Sequence, residues 1–437
     1  MLQQFNFTNY RSFRDDTSLD LTAANITEFE DTVVTEGREK ILPVIAIYGA
    51  NASGKSNVLS ALQEMCFCVK YSHLLVKEDI NDGGLATDSH MKLKMEDFYF
   101  PFRFDSKSVH EPTEFEVYFT DFNGKTVNYG FSIDKDGVAE EWLFITSKSR
   151  GSVPKQMIRR NRDENILEFS GIPKKMEENL RIAVEPRPEC LVLSLSPVLS
   201  IKPLESVYSW FKSLRFIDYG NILNQLHVAA PAALSEDEKL RNRLTSYLAS
   251  FDNSIVGVSA EKIKDENGKN KLKIDILHRS VNGNEAVPLP LDDESDGTKK
   301  MFSLFGYLES QMSSGSVIVI DELNAKLHPL LVRHLLTMFI DKTKNPNHAQ
   351  LIFTCHDAWL MKARILRRDE IWFTEKDNCG LSNLYSLADF VDEDGYKIRK
   401  DADYEKNYLL GKYGAIPVLE SLDMFAEREY EEYDENE

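Results

Sequence analysis

Residues 43–63, PVIAIYGANASGKSNVLSALQ, decide how this chain folds. The unbroken apolar run from Val44 to Ile47 fits a strand covered on both faces. A turn rich in small residues follows, and then a helix expected from Ser56 to about Lys70. Gly49-Ala50-Asn51-Ala52-Ser53-Gly54-Lys55-Ser56 fits G-x-x-x-x-G-K-[ST]. Glycines let such a backbone curl until successive N–H groups face inward at phosphates. The helix N-terminus adds partial positive charge. Lys55 is positioned to reach the β- and γ-phosphates of ATP, and Ser56 to offer its hydroxyl to Mg²⁺. Gly49, Asn51, Ser53, Gly54, Lys55, Ser56 and Asn57 are the expected nucleotide contacts.

A second apolar strand, SVIVI, ends in Asp321 and Glu322. A P-loop protein needs a carboxylate there for magnesium, which assigns Asp321 beside Ser56 as metal ligand. The next acid, Glu322, is placed to take the proton of an attacking water. A third strand, AQLIFT, runs into Cys355 and His356, and puts His356 within reach of the γ-phosphate. The expected catalytic set is Lys55, Glu322 and His356.

A polar loop, PLDDESDGTKK at 290–300, opens a helix that continues FSLFGYLESQM. Ser295 offers a donor, Gly297 a close approach, and the helix N-terminus an anion site. Asp292, Asp293 and Glu294 would repel a phosphate and are expected to face away from it, toward a partner subunit. Lys299 and Lys300 read either as added positive potential or as solvated surface lysines.

The rest of the chain bounds these readings. Its 437 residues permit one large domain or two to three ordinary ones. Hydrophobic residues at 42% and charged residues at 28% are those of a folded cytosolic protein. No apolar run approaches the ~18–20 residues of a membrane span, and no signal peptide is legible, so the expected location is cytoplasmic. The five cysteines lack zinc-finger spacing and read as small buried hydrophobes in a reducing compartment. A net charge of −19 opposes broad DNA binding, although a local basic patch is possible at 147–162, SKSRGSVPKQMIRRNR, which otherwise reads as a solvated loop. The tail EREYEEYDENE is acidic, either disordered or docked on a basic partner.

Residues 97–146 alternate as an antiparallel sheet, with Asp-Phe-Asn-Gly and Asp-Lys-Asp-Gly as hairpin turns. Residues 151–250 read as mostly helical, with Ser235 capping a helix, and 256–278 as a hairpin. Alternating strands and helices from 316 onward argue a parallel α/β core. Four segments are expected: an N-terminal lobe, 1–150; a mostly helical insertion with a hairpin, 151–290; a C-terminal lobe, 291–400; and an extension with the acidic tail, 401–437.

Taken together, NYRSF, GANASGKSN, PFRFD…EPTEFEVYF, ESDGTKKMFSLF, IDELNAKLHP, LIFTCHD, DEIWFTEKDNCGLSNLYSLADF and YLLGKYGAIP resemble the ABC-type ATPase heads of the SMC, RecF and OLD families. Their set and order are most similar to the stand-alone ATPases of abortive-infection and phage-defence operons, the RloA/AbiL-like group. The resemblance implies an α/β P-loop head, with a parallel core sheet, an antiparallel β subdomain and a helical insertion. It implies two copies sandwiching two ATP molecules, with Ser295, Asp296 and Gly297 of one copy on the γ-phosphate bound by the other. It also carries Asn9, Arg11 and Ser12 to the nucleotide. The chain departs from such heads in three places: no Q-loop glutamine is identifiable between Gln63 and Gln156, Asn324 replaces a common aspartate, and Cys355 replaces a common threonine.

The function this implies is an ATP-hydrolysing sensor that assembles on ATP and controls a separately encoded effector, a nuclease. A DNA repair or recombination ATPase of RecF/SMC type is the alternative, which leaves nucleic-acid binding open. Cleavage by this chain itself, OLD-fashion, would need a metal region; VDEDG at 391–395 reads rather as a solvated turn. A transporter ATPase is disfavoured by the divergent ESDGTKK.

Overall fold

A computed structural model describes residues 1–437 except 38, 76–97, 150, 220–230, 265–269, 282, 284, 326, 363–364, 392–394, 396 and 418–437. The acidic tail, most of VDEDG and the hairpin turn near 266–268 thus lie outside the described residues.

The chain begins with β1 (Leu2–Thr8), β2 (Thr17–Asp20), the short pair β3 (Val34–Glu36) and β4 (Glu39–Ile41), β5 (Val44–Gly49) and helix α1 (Lys55–Tyr71). Strands β6 (Thr113–Thr120), β7 (Thr126–Asp134), β8 (Gly137–Thr146), β9 (Lys155–Asn161) and β10 (Ile166–Phe169) precede α2 (Lys174–Val184), α3 (Val192–Leu195) and α4 (Lys202–Ser213). Next come β11 (Arg215–Asp218), α5 (Pro231–Glu236), α6 (Glu238–Ala249), β12 (Ile255–Lys264), β13 (Asn270–Arg279), β14 (Ala286–Pro290) and α7 (Asp296–Ser314). The last stretch holds β15 (Val317–Asp321), α8 (Pro329–Ile340), β16 (Gln350–Thr354), α9 (Trp359–Lys362), β17 (Ile371–Lys376), β18 (Ser382–Ser386) and α10 (Tyr404–Leu409).

The core sheet has the order β11-β15-β16-β5-β17-β18, parallel except for β18. Its strands read as continuous apolar runs because both faces are covered. Ile45, Ile47, Val317, Val319 and Ile352 point into one core, which holds α1 and the antiparallel sheet. Val44, Ala46, Tyr48, Ile318, Ile320, Leu351 and Phe353 point into the other, with α7 and α8. A seven-stranded sheet, β10-β9-β8-β7-β6-β1-β2, forms the antiparallel subdomain. Helix α4 packs on it through Trp210, stacked on Phe119 at 3.8 Å between ring centroids. The third sheet, β12-β13-β14, stands ahead of α7.

The expected helical insertion differs from what is found. Residues 155–169 form β9 and β10 and continue the antiparallel sheet, and β11 joins the core sheet as its edge. The basic run at 147–162 is therefore neither a solvated loop nor a free patch in its described arginines. Arg162 bonds both carboxylate oxygens of Asp134, and Arg160 donates to the carbonyls of Cys190, 2.6 Å, and Pro188, 3.1 Å. Arg159 pairs with Glu164 at 3.4 Å and Glu168 at 3.6 Å. Alternation with Met157 and Ile158 marked a strand whose charged side chains find partners on other strands. Asp237, not Ser235, caps α6, accepting from the Leu240 N–H at 3.0 Å. Four cysteines are buried as expected, but Cys379 is exposed. Among the described residues no helix is long and apolar enough to cross a membrane.

Candidate functional site

The loop between β5 and α1 is shaped by two glycines. Gly49 (φ 151°) leaves no room for a side chain: a Cβ would lie 2.4 Å from the Thr374 carbonyl oxygen and 2.6 Å from Ser53 Oγ. Gly54 (φ 117°) likewise abuts Ser382 Oγ at 2.8 Å, and caps α1 without any side-chain bond. The first N–H groups of α1 are thus left facing out of the loop, where an anion is the natural acceptor. Ser53 is buried and ties the loop to the core: its Oγ lies 2.6 Å from Thr374 Oγ1, and its carbonyl accepts from Ser382 Oγ at 2.8 Å. Asn51 and Ser56 are exposed.

Lys55 is buried, and its Nζ donates at 2.8 Å to the carbonyls of both Gly49 and Ala50. Burial lowers its pKa to about 8, against the opposing pull of Asp321, Glu322 and Cys355. That pull places the acid pair close to the ammonium. β15 and β16 bring it there, since both run parallel to β5 and end at the same edge of the sheet.

Thr354, at the end of β16, organises the acids. Its Oγ1 donates to Asp321 Oδ1 and accepts from the Glu322 N–H at 2.8 Å. Glu322 has φ 54°, a left-handed conformation uncommon for a non-glycine residue, and its carboxylate stands exposed. His356 follows two residues after Thr354, also exposed. Its pKa is lowered first by desolvation and then by the Lys55 ammonium, with Glu322 and Asp321 acting oppositely. Lys55, Asp321, Glu322 and His356 therefore converge. Ser56 and Asp321 supply hard oxygen donors, and magnesium needs only one or two protein ligands beside phosphates and water. The donor set fits that ion, while no cluster of three or more His, Cys, Asp or Glu suited to a metal occurs among the described residues.

The first strand–loop supports the site more than it faces it. Ser12 is buried, accepts from Asn57 Nδ2 at 2.8 Å and from Ser382 Oγ at 2.9 Å, and so braces the start of α1. Asn9 is buried too: its Nδ2 donates to the carbonyls of Ser108 and Glu111, each at 2.8 Å, and its Oδ1 accepts from the Phe102 N–H at 3.0 Å. Its amide holds the 100–113 loop, which corrects its assignment as a nucleotide contact. Arg11 is exposed, with its guanidinium 5.3 Å from the ring centres of Tyr10 and Phe100. Thr354, Thr374 and Ser382 carried no signal in the sequence, because a lone hydroxyl at a strand end has no pattern.

At the opening of α7, Ser295 is the N-cap, with Oγ accepting from the Thr298 N–H at 3.1 Å. Ser295 and Asp296 are exposed, and a Cβ on Gly297 would meet only Ser295 Oγ, at 3.7 Å. Asp292 and Asp293 are exposed as expected, but Glu294 is buried, its carboxylate 2.6 Å from His278 Nε2 of β13. Lys300 is not a surface lysine: it is 1% exposed, with Nζ donating to the Tyr219 carbonyl at 2.9 Å.

Residues 44–362 match the profile of the family described as "AAA domain, putative AbiEii toxin, Type IV TA system". No curated protein matches the sequence. Among solved structures, the chain is similar to an SMC head bound to the C-terminal winged-helix domain of ScpA, at 14% identity over 88% of this chain and 97% of that one, with a TM-score of 0.44. It is also similar to the SMC head of Thermotoga maritima, at 16% identity over 88% of this chain and 98% of that one, TM-score 0.41. An SMC head derived from Pyrococcus furiosus, bound to the C-terminal domain of ScpA, matches at 15% identity over 88% and 96%, TM-score 0.42.

Proposed function

Because the chain belongs to the AAA-domain family of AbiEii-toxin type, we propose that it hydrolyses ATP, self-associates on ATP, and acts as the sensor subunit of a phage-defence system that controls a separate effector nuclease. One observation carries the ATPase part: Lys55, Asp321, Glu322 and His356 meet at the ends of three adjacent parallel strands, beside an uncapped helix N-terminus. The defence role draws its support from the family description, which names a toxin and a toxin–antitoxin system.

In this reading Lys55 turns its ammonium from the two loop carbonyls to the β- and γ-phosphates. The N–H groups opening α1 take the remaining phosphate oxygens. Mg²⁺, held by Ser56 and Asp321, would neutralise charge between those phosphates. Glu322 accepts the proton of the attacking water, and His356 donates to the γ-phosphate as charge develops there. Ser295 to Gly297 of a second copy close the site. The net charge of −19 and the pairing of Arg159, Arg160 and Arg162 favour protein partners over a DNA repair role.

Glu322→Gln should bind ATP, stop turning it over and accumulate an ATP-dependent assembly visible by light scattering. A Gln variant hydrolysing at the parental rate would remove Glu322 from the chemistry. Lys55→Ala should lose nucleotide binding in calorimetry. Cells carrying the chain and its neighbouring genes should resist phage only while both Lys55 and the effector are intact.

A further inference from the structure

Helix α7 carries the exposed Ser295–Gly297 loop at its start, and one residue ties that helix to the acid end of β15. Tyr219 follows β11 directly. Its N–H donates to the Asp321 carbonyl at 3.1 Å, extending the β11–β15 ladder by one bond. Its own carbonyl accepts from Lys300 Nζ at 2.9 Å, and its ring lies under the same ammonium, 4.7 Å from the ring centre. Its hydroxyl reaches Met301 Sδ at 3.5 Å. Tyr219 is 0% and Lys300 1% exposed. A buried ammonium tolerates little displacement from the groups that solvate it, because loss of either leaves the charge without compensation. The ring adds a directional attraction that also falls off with distance. Sliding α7 along β15 would break both contacts together, so the helix and the strand end move as one body.

We infer that Lys300 is a positioning residue: with Tyr219 it locks α7 to the Asp321 end of β15, so that the nucleotide site of one protomer sets how its Ser295–Gly297 loop is presented to the nucleotide of another. The inference rests on the trans role proposed for that loop. It makes each protomer's readiness to close on a neighbour depend on what its own site holds. Lys300 itself touches neither nucleotide nor metal.

Lys300→Met keeps length and helix propensity and deletes the ammonium. Its ATP affinity, read with a fluorescent analogue, should stay within about two-fold of the parent, while kcat falls about ten-fold, ~1.4 kcal/mol of barrier. In the Glu322→Gln background it should abolish ATP-dependent association. A merely structural lysine would lower the melting temperature and leave kcat and association unchanged below it, and that result overturns the inference while leaving the trans loop in place. If the Glu322→Gln parent does not associate on ATP, both the trans reading and the inference fall. Should Lys300→Met not fold, hydrogen exchange on the full natural chain decides. At a dilution below self-association, ATP–Mg²⁺ should slow amide exchange in residues 296–303, and unchanged exchange there overturns the coupling.

Discussion

Thr354→Val is the sharpest test of the acid end of the site. Thr354 is fully buried, and its hydroxyl makes two bonds: it donates to Asp321 Oδ1 and accepts the Glu322 N–H at 2.8 Å. Valine keeps the shape and removes both. The bond to a carboxylate is worth about 1.5–3 kcal/mol, and a main-chain N–H left without a partner costs about 1–3 kcal/mol. The two overlap, so a loss of ~2–4 kcal/mol is expected. With an unfolding entropy of about 2.1 cal/mol/K per residue over the 437-residue chain, that lowers the melting temperature by ~2–4 °C. The larger effect should be on turnover, because the same hydroxyl aims both acids and steadies the left-handed turn at Glu322. Freed outer partners of metal ligands and bases typically cost about 10–100-fold. Steady-state ATPase assays at saturating ATP and Mg²⁺, well below the melting temperature, should show kcat down by that range. Thr354→Ser should stay within about three-fold, since it retains the hydroxyl. A valine variant with parental kcat, or a serine variant as impaired as valine, would refute the reasoning: the first because the bonds do not matter, the second because the methyl group does.

Three further outcomes follow from the same geometry. Lys55 titrates near pH 8 in the folded chain against 10.5 as its ordinary value. Since phosphate binding favours the ammonium, ATP affinity should fall as pH rises through about 8, and calorimetry at pH 8–9 in buffers of different ionisation enthalpy should show proton uptake on binding. Burial raises Glu370 to about 8 from 4.5, so its unfolded form loses the proton first and its contribution to stability falls as pH rises from 4.5 to 8. Glu370→Gln should therefore stabilise the fold at pH 8, with a gain that shrinks toward pH 4.5 in parallel melts. Gly49→Ala would force a side chain into left-handed backbone against the Thr374 carbonyl and should cost about 2–4 kcal/mol in denaturant titration along with ATP binding, whereas equal stability and binding would mean the loop relaxes freely.

What the sequence made legible, and what it hid, divides along a physical line. Val44–Ile47, Asp321, Glu322 and His356 could be read because their chemistry sits in consecutive residues at the ends of apolar strands, where local pattern and final position coincide. β9 was hidden because Arg159, Arg160 and Arg162 draw their partners from acids that only the folded sheet brings alongside. β11 was hidden by its length, four residues directly behind α4. Lys300 looked like surface because the group that buries it, Tyr219, lies 81 positions away. Thr354, Thr374 and Ser382 are common residue types whose value comes entirely from what they meet. Glu294 was assigned to the solvent side with its two acidic neighbours, and the turn that buries it against His278 depends on a sheet built from residues 255–290.

The wall of the phosphate loop is assembled from distant parts of the chain. Ser53 is bonded to Thr374, 321 positions on, and its carbonyl to Ser382, 329 positions on, while Ser382 also holds Ser12, 370 positions back. During synthesis the glycine-rich turn and its helix emerge early, yet the hydroxyls that fix their shape leave the ribosome only after most of the chain has been made. A nascent chain that has displayed the phosphate motif is then still unable to grip nucleotide. Competence to bind ATP arrives as a late, nearly all-or-none event, so a chain broken off before β18 would carry the whole motif and remain silent.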